Sequence, residues 1–209
     1  MCLHQHNLIS YNILVRKGIN LIALQEPAIS SAGLTIASRD WTAVYPSNHS
    51  NNLLSTRSIT LIRVDLSTKS WNQIDFPSSN VIVTQLSSQW GKVTIFKIYN
   101  DGNSDETLKQ LAEFHRRNQD ILEHAEEGKA HIVWLGDFNR HHPYWDNPED
   151  TRLFMNEAIE ATEKLIEILA DTGLELALPS RILTVTARMA TPTKADSKLS
   201  DVHLESLRR

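Results

Sequence analysis

The sequence predicts an α/β (α+β) fold, with β-sheets covered by helices. Three observations predict it. Four runs rich in β-branched residues follow one another between Ser58 and Asn100, each bounded by turn residues. Two longer stretches repeat apolar residues at helical spacing. A strand-like run, "AHIVWLGD", lies between those two helices. The chain has 209 residues, 41% of them hydrophobic and 22% charged, which suits one globular domain with a substantial core.

In chain order, "LHQHNL" (Leu3–Leu8) is a candidate first strand, with His4 and His6 alternating onto one face. "LIALQEP" (Leu21–Pro27) is an apolar run stopped by proline, as a buried strand would be. "SITLIRVD" (Ser58–Asp65), "KSWNQIDF" (Lys69–Phe76), "NVIVTQLSS" (Asn80–Ser88) and "GKVTIFKIYN" (Gly91–Asn100) read as consecutive antiparallel strands. A helix follows, capped by Asn103 with Glu106 as the second half of a capping box. Its apolar stripe is Leu108, Leu111, Phe114, Ile121, Leu122 and Ala125. After the strand "AHIVWLGD", Asn147-Pro148 opens a second helix, and Gly173 closes it. The second stripe is Phe154, Ala158, Ile159, Leu165, Ile166 and Leu169. "LELALP" and "LTVTA" are short strands, and the pattern dissolves after Ala187. The domain is therefore drawn over 1–187, with 188–209 as an irregular tail.

The bulk properties narrow the function classes. A net charge of −4 advertises no overall basic field for nucleic acid. The single cysteine, Cys2, rules out a disulfide framework within the chain. No apolar run approaches the ~18 residues of a membrane span, and the N-terminus lacks a signal-peptide pattern. A soluble intracellular protein is expected, monomeric by default. The second helical segment carries seven acids against Arg152 and Lys164, which reads as a solvated outer face.

Three apolar runs end in polar residues. Glu26 follows "LIALQ", Tyr99 and Asn100 follow "VTIFKI", and Asp137 and Asn139 follow "HIVWLG". Strand ends are where α/β proteins build sites. Carboxylates with carboxamides suit a hard cation such as Mg²⁺, which takes oxygen ligands and keeps waters and substrate phosphate for the rest. Gly136 would allow close approach to the backbone. Each residue alone also has a plainer reading: Glu26 as a solvated loop residue, Asp137 to Asn139 as an Asx-turn, Tyr99 as packing. His141 and His142 point different ways and lack a zinc-motif partner. Tyr144 and Trp145 read as packing residues.

In order along the chain, "LIALQEP", "IYND" and "WLGDFNRHHPYWD" resemble the endonuclease/exonuclease/phosphatase superfamily. More narrowly they resemble the endonuclease domain of LINE-type (non-LTR) retrotransposons, including domains linked to reverse transcriptase. "VYPSNHSNNLLSTRSITLI" and "LIEILADTGLELALP" extend the resemblance from about Leu3 to Leu178. The resemblance implies a four-layer sandwich of two mixed β-sheets flanked by helices, and a phosphodiester cut with Mg²⁺ or Mn²⁺. By position it makes Glu26 the metal-binding glutamate and Tyr99 the tyrosine at the scissile phosphate. Asp137 would orient or deprotonate the attacking water, and Asn139 would hold the phosphate and Asp137. Asn7 matches the first-strand amide of the catalytic and metal set, with Asn12 second. Asp201 matches a late-strand aspartate near the metal, and His142 falls in a loop near substrate. DNA is the implied partner, and a nuclear location is compatible.

The chain departs from that pattern twice. The segment between Asn7 and "LIALQEP" is shorter than the resembled helix. The sequence also stops at Arg209, before the final strand and its Asp-His element; in "LSDVHLES", His203 sits one position too late to supply it. Weak or absent turnover is therefore expected. The other readings are a non-catalytic remnant or binding module, and a small-molecule phosphatase of the same superfamily.

Overall fold

A computed structural model describes residues 18–89, 91–123, 129–147 and 149–175. Cys2, His4, His6, Asn7, Asn12, Ala125, Asp201, His203, the segment "LTVTA" and the boundary drawn at 187 lie outside these residues.

Seven strands and three helices are described: β1 (Leu21–Gln25), β2 (Trp41–Val44), β3 (Ser58–Arg63), β4 (Trp71–Ile74), β5 (Val81–Ser88), β6 (Gly91–Tyr99), α1 (Glu106–Arg117), α2 (Gln119–Glu123), β7 (Lys129–Asp137) and α3 (Asn156–Thr172). They form two sheets, of order β1-β3-β2 and β4-β5-β6-β7. The first is antiparallel throughout. The second is an antiparallel meander closed by β7 parallel to β6. A parallel neighbour requires a crossover, which α1 and α2 provide.

Alternation of side chains along each strand assigns the layers. From the second sheet, Val81, Val83, Phe96 and Ile98 pack with Leu108, Leu111 and Phe114 of α1 and Leu165 and Ile168 of α3. His115 is buried in this layer; burial holds its imidazole neutral, with a pKa lowered to about 4, and it accepts the Trp134 indole N–H at 3.2 Å. The opposite faces of the two sheets meet through Val44, Ile62 and Ile82. Ile22, Leu24, Trp41, Ile59 and Leu61 form a separate cluster on the first sheet. The result is a sandwich of two sheets, as the family resemblance implies, with the described helices on the outer face of the second sheet.

Several expectations need correction. β3 does not pair with β4: its two neighbours are β1 and β2, and the chain passes from one sheet to the other between Arg63 and Trp71. β2, only four residues long, was not predicted. Asn103 does not cap α1. The helix begins at Glu106 after Asp105, while the Asn103 N–H bonds the Asp101 carboxylate in a turn. Both backbone donors that the capping box would satisfy are taken otherwise, the Asn103 N–H by Asp101 and the Glu106 N–H by the Ser104 hydroxyl at 3.2 Å. The helix also breaks at Asn118, whose side chain bonds the Phe114 carbonyl, leaving Ile121 exposed. Asn147 does not start the second helix. It closes a turn to Glu149 and Asp150, a 3₁₀ turn follows at Thr151–Leu153, and α3 begins only after the extended Met155. Gly173 ends α3 in the left-handed conformation, as predicted.

Candidate active site

Three strand ends meet at one edge of the sandwich. β1 delivers Glu26, β6 delivers Tyr99, and β7 delivers Asp137 directly beside Tyr99 in the parallel register. The Tyr99 hydroxyl donates to Glu26 Oε1 at 3.2 Å across the two sheets. The Asn139 N–H donates to Asp137 Oδ1 at 3.1 Å. Glu26, Asp137 and Asn139 are all exposed, so the three functional groups face solvent.

The backbone supports are specific. Among the described residues only two non-glycine residues have positive φ, Glu26 at 42° and Asn139 at 46°. Such conformations are uncommon outside glycine and collect at functional sites, where surrounding bonds hold them. Here those bonds are visible. The Glu26 N–H donates to the Arg57 carbonyl at 2.8 Å. Asn139 Nδ2 donates to the Asn100 carbonyl at 2.7 Å. Asn100, fully buried, returns its own Nδ2 to the Phe138 carbonyl and its N–H to the Asp137 carbonyl, both at 2.8 Å. The turn from Asp137 to Asn139 is thus clamped onto the end of β6. Arg140 then ties the chain to α1 through the Gly102 and Ser104 carbonyls and Asp105.

The floor joins the two sheets. Gln25 Nε2 donates to the Ile98 carbonyl at 2.8 Å, beside Gly136. Gly136 has φ +149°, and a Cβ there would sit 1.8 Å from the Ile98 oxygen. Neither the strained backbone nor the β6 carbonyl can give way easily. Gly136→Ala should therefore lower unfolding stability by about 3 kcal/mol or more, measurable by urea denaturation of the two proteins.

Two cations lie against this edge that sequence reasoning missed. Arg57 Nη1 donates to the same Glu26 Oε1 at 3.0 Å, and its guanidinium carbon lies 5.7 Å from the Tyr99 ring centre. Its only sequence signal is indirect: once β1 and β3 are paired with Gln25 opposite Ser58, Glu26 and Arg57 are the next neighbours. Lys97 is 1% exposed, lies two residues before Tyr99 on the same strand face, and pairs across β5 with Ile82 of the inter-sheet layer. Among the described residues its Nζ has no hydrogen-bond partner. Burial lowers its pKa to about 7, and the charge of Asp137 opposes that shift. Burial also raises the Tyr99 pKa, helped by the nearby Glu26 carboxylate, so the phenol remains a proton donor in its hydrogen bond.

The structure therefore brings Glu26, Tyr99, Asp137 and Asn139 together. Asn7 and Asp201 lie outside the described residues. The contacts of His142 are within its own loop: its N–H bonds Asp146, its ring accepts from the Tyr144 N–H, and it packs on Trp145. His141 also leans on Asp146. The donor set at the strand ends is all oxygen and half exposed, which fits a hard divalent cation. Among the described residues no three histidine, cysteine, aspartate or glutamate side chains converge. That fits a sparse site in which water and phosphate complete the coordination.

The sequence profile of the family described as "Endonuclease-reverse transcriptase" matches residues 93–202, just over half of the chain. Among the solved structures that share the fold, two are compared. One is the endonuclease domain of TRAS1, a telomere-specific non-LTR retrotransposon, at 13% identity and TM-score 0.52, covering 76% of this chain and 62% of that one. The other is the AP endonuclease LMAP from Leishmania major, at 13% identity and TM-score 0.54, covering 77% of this chain and 60% of that one. The chain thus spans about three fifths of the length of each. No curated protein matches it. Among the described residues no helix is long and apolar enough to cross a membrane.

Proposed function

The chain belongs to the endonuclease-reverse transcriptase family, and on that premise we propose that the Glu26–Tyr99–Asp137–Asn139 edge is a divalent-metal-dependent site for cleaving DNA phosphodiesters. The observation that carries this reading is the junction of the strand ends, with Tyr99 bonded to Glu26 across the sheets and paired with Asp137 in register. The two strained residues, Glu26 and Asn139, both belong to that junction.

The chain's own residues have distinct tasks in this reading. Glu26 provides the carboxylate for Mg²⁺ or Mn²⁺, which when bound stabilises negative charge on the phosphate. Tyr99, kept protonated, would turn its single O–H from Glu26 to a phosphate oxygen on substrate binding. Asp137 accepts a hydrogen bond from the attacking water and orients it in line with the scissile bond. Asn139, its backbone on Asp137 and its side chain on Asn100, keeps that carboxylate at a fixed angle. The protein mostly positions the groups, which is the usual protein contribution to phosphoryl transfer. Slow turnover is part of the proposal, because "LSDVHLES" places His203 one position too late to supply the Asp-His pair that would handle the proton at the phosphate.

The test is nicking of supercoiled plasmid with Mg²⁺ or Mn²⁺, with chelator and Glu26→Gln as controls. We expect slow nicking that chelator stops and that Glu26→Gln reduces by ~10²-fold or more, as loss of a charge-stabilising group does. Nicking that survives both would overturn the reading. Metal and DNA binding without any nicking would instead favour a non-catalytic binding module. Turnover of inositol phosphates with the plasmid intact would favour the small-molecule phosphatase.

A further inference from the structure

Arg57 contacts the site in three ways and is anchored by a fourth bond. Its carbonyl accepts the Glu26 N–H, and its own N–H donates to the Ser79 carbonyl in the turn before β5. Its guanidinium pairs with Glu26 Oε1 and lies over the Tyr99 ring. The backbone position is therefore fixed, while the side chain is 52% exposed and its partner carboxylate 55% exposed. An exposed single-oxygen ion pair is weak. A divalent cation arriving at Glu26 competes for the same oxygen, and the guanidinium has an alternative seat against the Tyr99 ring.

A guanidinium carries five donors in a planar fork that matches phosphate. A pocket of about 260 Å³ opens beside it, lined by Glu26, Pro27, Ile29, Leu54, Thr56 and Arg57. Its wall of Pro27, Ile29 and Leu54 suits a sugar ring, leaving Arg57 as the only cationic group of the lining. The charges balance the same way. Glu26 and Asp137 place two carboxylates where a polyanion must approach, and Arg57 is the exposed cation among them.

We propose that Arg57 is an exchangeable ligand: it holds the Glu26 carboxylate while no cation is bound, and binds a DNA backbone phosphate once Glu26 is taken by the cation. This rests on Glu26 being the metal carboxylate, so the experiment tests the two separately. The full-length chain and its Arg57→Gln, Arg57→Lys and Glu26→Gln variants are titrated with Mn²⁺, read by the paramagnetic resonance of free Mn²⁺. Binding of a short fluorescent duplex is then measured by anisotropy over a range of salt, with Ca²⁺ or with chelator.

Removing the competing cation should tighten Mn²⁺ binding in Arg57→Gln by about two- to five-fold. The same variant should lose the Ca²⁺-dependent gain in duplex affinity, and its salt dependence should fall by about one counterion. Arg57→Lys should retain part of the gain. The proposal is overturned if Arg57→Gln keeps wild-type Mn²⁺ affinity and wild-type salt slope while Glu26→Gln loses Mn²⁺ binding. If Glu26→Gln binds Mn²⁺ as wild type does, the assignment of Glu26 has failed, and the proposal with it. A melting curve for each variant shows that it is folded; Arg57→Lys serves if Arg57→Gln is not.

Discussion

Asp137→Ala is expected to lower metal-dependent plasmid nicking by ~10²–10⁴-fold, the usual range for losing a group that handles the proton of the nucleophile. The fold should be nearly untouched. Asp137 is exposed, and its carboxylate holds only the N–H of Asn139 in the hydrogen bonds described, while the backbone of the turn stays clamped by Asn100. A melting temperature close to wild type together with lost nicking is therefore the signature to look for. Asp137→Asn keeps an acceptor for Asn139 but loses the charge, so it should be folded and similarly slow. A large fall in melting temperature with either variant would mean that Asp137 serves the turn more than the chemistry.

Lys97→Met is expected to stabilise the protein, and by more at low pH than at high. The Lys97 pKa is lowered to about 7 by burial, whereas an unfolded lysine titrates near ~10.4. At pH below about 7 both states carry the proton, and the folded state bears the full penalty of a buried ammonium. Between that value and the unfolded pKa, the unfolded chain binds more protons than the folded one. Wild-type stability should accordingly rise with pH across this window. Methionine fills a similar volume without charge, so its curve should be flat there. The difference at pH 6 should be on the order of several kcal/mol and shrink towards pH 10. Urea denaturation of both proteins at a series of pH values measures it. Equal stability at pH 6 would show that the ammonium finds a partner in the folded chain.

Both predictions also mark the limit of what the sequence could reveal. Glu26, Tyr99, Asp137 and Asn139 were legible because each stands where an apolar run turns polar, a property of neighbouring letters. Arg57 and Lys97 were not. Arg57 acquires its role only when β3 pairs with β1, and the sequence placed β3 in a meander with β4 instead. Lys97 looks like an outward polar residue in an alternating strand, yet a second sheet covers that face and buries it. The helix starts failed for a related reason. The capping pattern at Asn103 and the Asn147-Pro148 pair were sound locally, but Asp101 and the Ser104 hydroxyl take the two N–H groups the cap would satisfy, and the chain after Asn147 turns before it coils. Gly173 succeeded because a left-handed helix end depends on glycine alone.

If these strand ends form one site for a cation and a phosphate, a crystal of the Asp137→Asn variant grown with Mn²⁺ and a short DNA duplex should show it by anomalous scattering. The expected result is a manganese peak against the Glu26 carboxylate, with a backbone phosphate within hydrogen-bond reach of Tyr99 and Asn139. Manganese bound instead at the His141–Asp146 loop, with Glu26 still paired to Arg57 and DNA elsewhere, would contradict it.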